Sequence, residues 1–315
     1  MRIDTHAHVY PRDYLDLLAD YGVDTRVHRD LGADDTAEDL HARFALMDRA
    51  GVDVHVVSVA PMTGLFADAV PAVTTSRMIN DRYRKLVEQY PDRLRAFAAV
   101  PLPHVDAAVA ELDRVLADPG VLGVTVTTTV AGRPLTDPAF EPFWAELDRR
   151  ATVLYVHPAG ADAHSTQIAD AHLTWMVGAP VEDMVAAAQL ITAGFPSRYP
   201  NVRILNSHLG GAVPMMLRRW DNQARFEAPD APLPPSTAAR LMWYDTVTHG
   251  STAALRAAVD ELGADRLVLG SDFPYQSGER YVDAVRYVAR SGLDPAAAHD
   301  VLDVNAAQLL GLTGR

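Results

Sequence analysis

Two imidazoles stand two residues apart near the start of the chain, in Ile3-Asp4-Thr5-His6-Ala7-His8. On an extended strand, residues i and i+2 share a face. His6 and His8 therefore point to one place, as two ligands of a single metal ion must. Three further groups of the same capability follow later apolar runs: His157 in Tyr155-Val156-His157-Pro158, His208 in Asn206-Ser207-His208-Leu209-Gly210-Gly211, and Asp272 in Gly270-Ser271-Asp272-Phe273-Pro274. A lone His-x-His is as readily a packed or solvated pair. Five such groups at strand ends are a poor accident if those ends share one rim. Three imidazoles and a carboxylate suit a borderline divalent ion, zinc first, with manganese, iron or cobalt compatible with the same donors. Four groups suffice, which leaves the fifth to act on a substrate. His249, which follows the run Tyr244-Asp245-Thr246-Val247-Thr248, ends at the same rim and is placed to touch that substrate.

The elements that must carry these groups alternate regularly. Apolar runs over 3–9, 52–60, 94–102, 122–129, 152–157, 202–208, 242–248 and 266–271 read as strands, with no polar face. Between them, helical patterns cover 36–50, 73–90, 105–117, 138–150, 181–195, 212–227 and 252–262, and two more close the chain over 279–291 and 303–310. Thr36 is placed to cap the first of these and Gly51 to stop it. Strands too continuous in hydrophobicity for one wet face belong to a parallel sheet covered by helices. Eight such units in 315 residues predict a (β/α)8 barrel in a single domain, 1–315. An open doubly wound sheet is the alternative, but no Gly-x-Gly-x-x-Gly or Gly-x-x-x-x-Gly-Lys-Ser/Thr motif follows a strand. In a barrel the chemistry collects at the carboxyl ends of the strands, where these groups stand. Segments 11–35 and 159–180 leave that rim as insertions after strands one and five, and are expected to cover it as lids.

Composition narrows the function classes. A net charge of -13, with no basic run, argues against a nucleic-acid surface. The chain has no cysteine, which removes disulfides and thiolate ligands and gives no sign of an oxidising compartment. It enters a strand directly and contains no long apolar segment, so a cytoplasmic protein without a membrane span is the expectation. Among 28 basic residues only Lys85 is a lysine, and it falls in the helix over 73–90. A pair of metals bridged by a carboxylated lysine at a strand end is therefore not expected.

These motifs, with Met47-Asp48-x-x-Gly51-Val52-Asp53-Val54, His208-Leu209-Gly210-Gly211 and Leu269-Gly270-Ser271-Asp272-Phe273-Pro274-Tyr275, resemble the amidohydrolase superfamily in order and spacing. Within it they resemble the metal-dependent decarboxylases typified by aminocarboxymuconate-semialdehyde decarboxylase. The resemblance implies that His6, His8, His157 and Asp272 hold one metal while His208 serves as acid and base, with Asp272 a second group able to deliver a proton. It implies a homodimer in which Arg219 reaches across to bind a substrate carboxylate, and substrate contacts from Trp175 and Tyr275. The expected reaction is non-oxidative decarboxylation of an aromatic or unsaturated carboxylic acid. The same ligands also serve hydrolysis of an ester, lactone or amide, and a purely structural metal site is a third possibility. In one place the chain departs from the pattern: Ala159 stands after His157-Pro158, where the semialdehyde decarboxylases carry a tryptophan. That points to a substrate other than the namesake's.

Overall fold

The computed structural model describes residues 1–312. Eight parallel strands run in sequence order around a ring: β1 Ile3–His8, β2 Val54–Ser58, β3 Leu94–Ala99, β4 Val121–Thr127, β5 Val153–His157, β6 Arg203–Asn206, β7 Trp243–Asp245 and β8 Leu267–Val268. The ring closes through the backbone. Thr5 N donates to Leu269 O at 2.9 Å, Asp272 N to His6 O at 2.9 Å, and His8 N to Phe273 O at 2.8 Å. Closure removes both sheet edges and excludes the open doubly wound alternative. Every residue of β1, β2 and β5 is buried, as strands with helices outside and packed side chains inside must be.

Local chemistry sets the helix limits. Ala37–Ala50 begins where the Thr36 side chain accepts from Asp39 N, and ends at Gly51 with a left-handed φ of 73°. The next helix, Ala69–Gln89, starts ahead of the expected 73 because Asp68 caps it through Val70 N. Lys85 lies on this outer helix, away from the strand ends. Segment 11–35 is not wholly irregular. It contains the helix Arg12–Asp20, which buries Tyr14, Leu15 and Leu18 while its acidic residues cover the outer side. An apolar cluster joins Ile3, Val54, Phe97, Val153, Tyr155 and Leu205 to Leu309 and Leu310 of the helix Asn305–Leu310. These residues fill the barrel from the helix Asn305–Leu310 up to Tyr155, whose ring meets those of His6 and His157, and leave the carboxyl ends open for the site. No described helix is long and apolar enough to cross a membrane.

Candidate metal centre and substrate pocket

The strand ends bring His6, His157, His208 and Asp272 together, with one ligand atom from each lying within 4.8 Å of all the others. His8 joins them through its Nε2, 3.3 Å from Asp272 Oδ1, and its ring lies 5.0 Å from that of His6 and 5.2 Å from that of His157. All five rim groups read from the sequence thus meet at one centre. Gly270 makes this convergence possible, because a Cβ there would stand 2.9 Å from His6 Cβ and 2.8 Å from Asp245 Cβ. The backbone is left-handed at the non-glycine rim residues His208, Leu209, His249 and Asp272, with φ of 51°, 55°, 52° and 64°. Strain of this kind persists where the surrounding structure holds it and clusters at functional sites.

Each imidazole is tied behind the centre by its other nitrogen. His6 Nδ1 donates to Asp245 Oδ2 at 2.7 Å, His208 Nδ1 to Asp183 Oδ2 at 2.9 Å and His157 Nδ1 to Pro158 O at 3.0 Å, while His8 Nδ1 lies 3.4 Å from Ser58 Oγ. Such outer partners fix the tautomer and leave every Nε2 for the centre. Asp245 also accepts from His208 N at 2.9 Å and Val247 N at 3.0 Å, so one carboxylate orients two of the imidazoles. Asp4 lies one layer deeper and accepts from His6 N and Ser271 N.

The electrostatics of this centre call for a cation. Burial alone would push the His6 imidazolium down, but Asp245 and Asp272 outweigh it and raise the ring to about 10. His6 Nε2 is buried 3.3 Å from Asp272 Oδ1, outside good hydrogen-bond geometry, so it faces that carboxylate without a well-aligned partner. A proton and a metal ion are alternative cations at that nitrogen. Burial lowers His8 to about 4 and holds His157 well below its ordinary value, which keeps both rings neutral, the form in which imidazole ligates. Asp272, which burial would raise, is held well below the carboxylate range by the hydrogen bonds and charges of the surrounding imidazoles. The donor set therefore fits a divalent metal ion.

A cavity of about 470 Å³ opens onto the centre, lined by His157, His208 and Asp272 on one side and by Trp175, Pro180, Leu209, Val247 and Tyr275 among others. His6 and His8 lie behind it, their side chains fully buried, whereas the His208 side chain is 18% exposed. His249, Trp175 and Tyr275 all line the cavity, as does Val27 from the segment after β1. The indole of Trp175 comes from the segment after β5. A Cβ on Gly160 would stand 2.9 Å from Trp175 Cη2, so the missing side chain at Gly160 leaves the room that this ring takes. Arg219 is elsewhere, exposed on the helix Val213–Glu227, and does not line the cavity of its own protomer.

Several groups at the site are not among those the sequence singles out. Asp183 and Asp245 hold the imidazoles, Tyr10 stacks on His8 with ring centroids 5.7 Å apart, and His28 packs edge-on against Tyr10 at 5.2 Å. Position at a strand end could have singled out Asp245. Nothing distinguishes Asp183 from an ordinary acid near the start of a helix.

The amidohydrolase family model matches residues 3–312. Gamma-resorcylate decarboxylase of Rhizobium radiobacter is 29% identical over 308 residues, covering 91% of this chain and 90% of that protein. A 2-amino-3-carboxymuconate-6-semialdehyde decarboxylase of Dictyostelium discoideum is 25% identical over 344 aligned residues, covering 99% of this chain and 92% of that one. The crystal structure of 2,6-dihydroxybenzoate decarboxylase from Rhizobium superposes with a TM-score of 0.86 at 26% identity and covers 99% of both chains. The chain belongs to the amidohydrolase family, in its decarboxylase branch.

Proposed function

We propose that this protein is a metal-dependent, non-oxidative decarboxylase of an aromatic or unsaturated carboxylic acid, with His6, His8, His157 and Asp272 as the metal ligands and His208 as acid and base. One observation carries the assignment of roles: His208 is the imidazole that both faces the cavity and is backed by a carboxylate of its own, Asp183 at 2.9 Å. A divalent ion at the cluster, zinc in this reading with manganese, iron or cobalt as the other candidates, supplies a Lewis acid for the substrate oxygens. The chain's own groups do the rest. The cavity walls hold the acid with its carboxyl-bearing carbon near His208 and exclude water from it.

Decarboxylation leaves an electron pair on carbon when carbon dioxide departs. Protonation of that carbon ahead of C–C cleavage removes this cost. Asp183 occupies His208 Nδ1, so Nε2 is the nitrogen that delivers the proton, with Asp272, whose Oδ2 lies 4.0 Å from Nε2, the second candidate. The names of the relatives favour this chemistry over hydrolysis of an ester, lactone or amide. The same reading makes the protein a single-domain cytoplasmic homodimer in which Arg219 serves the pocket of the neighbouring protomer. In support, Arg219 has no ion pair among the described residues and shares an exposed helix face with Met215 and Phe226. Incubation of the metal-loaded protein with a panel of aromatic and muconate-type acids should release carbon dioxide. Hydrolysis of esters or lactones with no carbon dioxide from any acid would replace this reading.

A further inference from the structure

The cavity wall contains a hydroxyl whose hydrogen-bonding sense is fixed by its neighbours. A phenol has one proton to give. Tyr10 spends its proton on Ala60 O, a carbonyl that can only accept, at 2.7 Å. The Tyr10 and Tyr275 oxygens are 3.1 Å apart. Because Tyr10 has no second proton, Tyr275 is the donor in that pair. Tyr275 is thereby left with no proton for anything in the cavity it lines, and toward a ligand its oxygen can only accept. The Tyr275 ring meets that of His8 edge-on at 5.6 Å, so this acceptor belongs to the side of the cavity next to the metal centre.

We infer that Tyr275 is a specificity-determining residue that selects aromatic acids bearing a hydrogen-bond donor, a hydroxyl or amino substituent, over those bearing only acceptors or none. The inference rests on the decarboxylase reading for the carboxylic acid itself, and on the Ala60–Tyr10–Tyr275 chain for the substituent. Beside the polar groups His208, Thr248 and His249, much of the remaining lining, Val27, Trp175, Leu209 and Val247, is apolar. A ligand without a donor therefore closes the cavity over an acceptor that it cannot satisfy, which is where discrimination between near-isosteres is strongest. The chain of bonds also shows how to reverse the sense: removing the Tyr10 hydroxyl frees the Tyr275 proton to donate.

The test is calorimetric binding to the metal-loaded protein of paired hydroxybenzoates and fluorobenzoates substituted at the 2, 3 or 4 position, which differ in donor capacity at similar size. In the wild-type protein at least one hydroxy acid should bind about tenfold more tightly than its fluoro partner. Tyr275→Phe should erase that preference by weakening the hydroxy acid alone. Tyr10→Phe should relax it by strengthening methoxybenzoates, which only accept. Equal losses for both members of every pair in Tyr275→Phe, or an unchanged preference in both variants, would overturn the inference. Carbon dioxide release is scored separately on the same acids. A protein that binds with the expected preference but decarboxylates none of them would refute the decarboxylase reading and leave the role of Tyr275 standing. Turnover without the preference would do the reverse.

Discussion

Two neighbouring carboxylates on one helix do opposite kinds of work. The helix Ala179–Thr192 buries both Glu182 and Asp183 in its first turns. Asp183 faces the barrel, accepting from Ser207 Oγ at 3.0 Å and His208 Nδ1 at 2.9 Å. Glu182 faces the segment after β5, accepting from the backbone amides of Ala159 at 2.7 Å, Gly160 at 3.2 Å, Ala161 at 2.7 Å and Ala163 at 3.2 Å, and from Thr128 Oγ1 at 2.9 Å. The floor of the site is fixed by such ties from several elements: Asp183 holds the His208 ring, Asp245 holds the His6 ring and the His208 amide, and Pro158 O holds His157. Its Trp175 wall belongs to a half-exposed segment with left-handed residues at Asp162, Ala163 and His164, gathered onto one anion. The barrel pre-organises the chemistry, while one side chain sets how the segment bearing Trp175 sits over it.

That contrast predicts a ranking of effects. Asp272→Ala removes a ligand and the charge that the imidazoles surround, and should cost both the ion and all measurable turnover, checked by metal analysis after dialysis alongside the carbon dioxide assay. His208→Ala should keep the ion and lower kcat by about 10²- to 10⁴-fold, the usual worth of general acid-base assistance. Loss of the ion in that variant would make His208 a ligand and undo the division of roles. Asp245→Asn leaves every ligand in place but weakens the hold on His6 Nδ1. It should cost about 10- to 100-fold in metal affinity or activity, as outer partners of ligating histidines do, read by competition with a chelator.

The sequence carries the floor far better than the wall, for a physical reason. A barrel puts every strand end on one rim, so a His or Asp at the end of a buried run is located by topology alone, and His6, His8, His157, His208 and Asp272 were all legible in this way. Asp183 and Glu182 follow Pro180 in the first turns of a helix, where acids are common because they complement the positive end of the helix dipole. A buried tie and a solvated first-turn acid look identical in one dimension. The helix Arg12–Asp20 was hidden by its length, since nine residues carry too few turns for Tyr14, Leu15 and Leu18 to establish a period. Arg219 is legible only as part of a motif, and its own protomer gives it no partner among the described residues.

The smallest expected effect tests the wall. Glu182→Gln keeps the shape of the side chain but puts an NH2 group among five donors, so at least one backbone amide of 159–163 loses its acceptor. Hydrogen bonds to a charged group are worth about 1.5–3 kcal/mol each, and part of that is recovered by water because the segment is only half-buried. A net loss of about 1–2 kcal/mol in the closed position of Trp175 corresponds to a KM raised roughly tenfold. The variant should leave kcat within a few-fold, because Asp183 and His208 are held from the barrel side. Steady-state kinetics give the split, and the emission of Trp175 should shift toward that of a solvated indole. A fall in kcat matching the rise in KM would mean that the anion under the wall also positions the acid-base histidine, and that wall and floor move as one body.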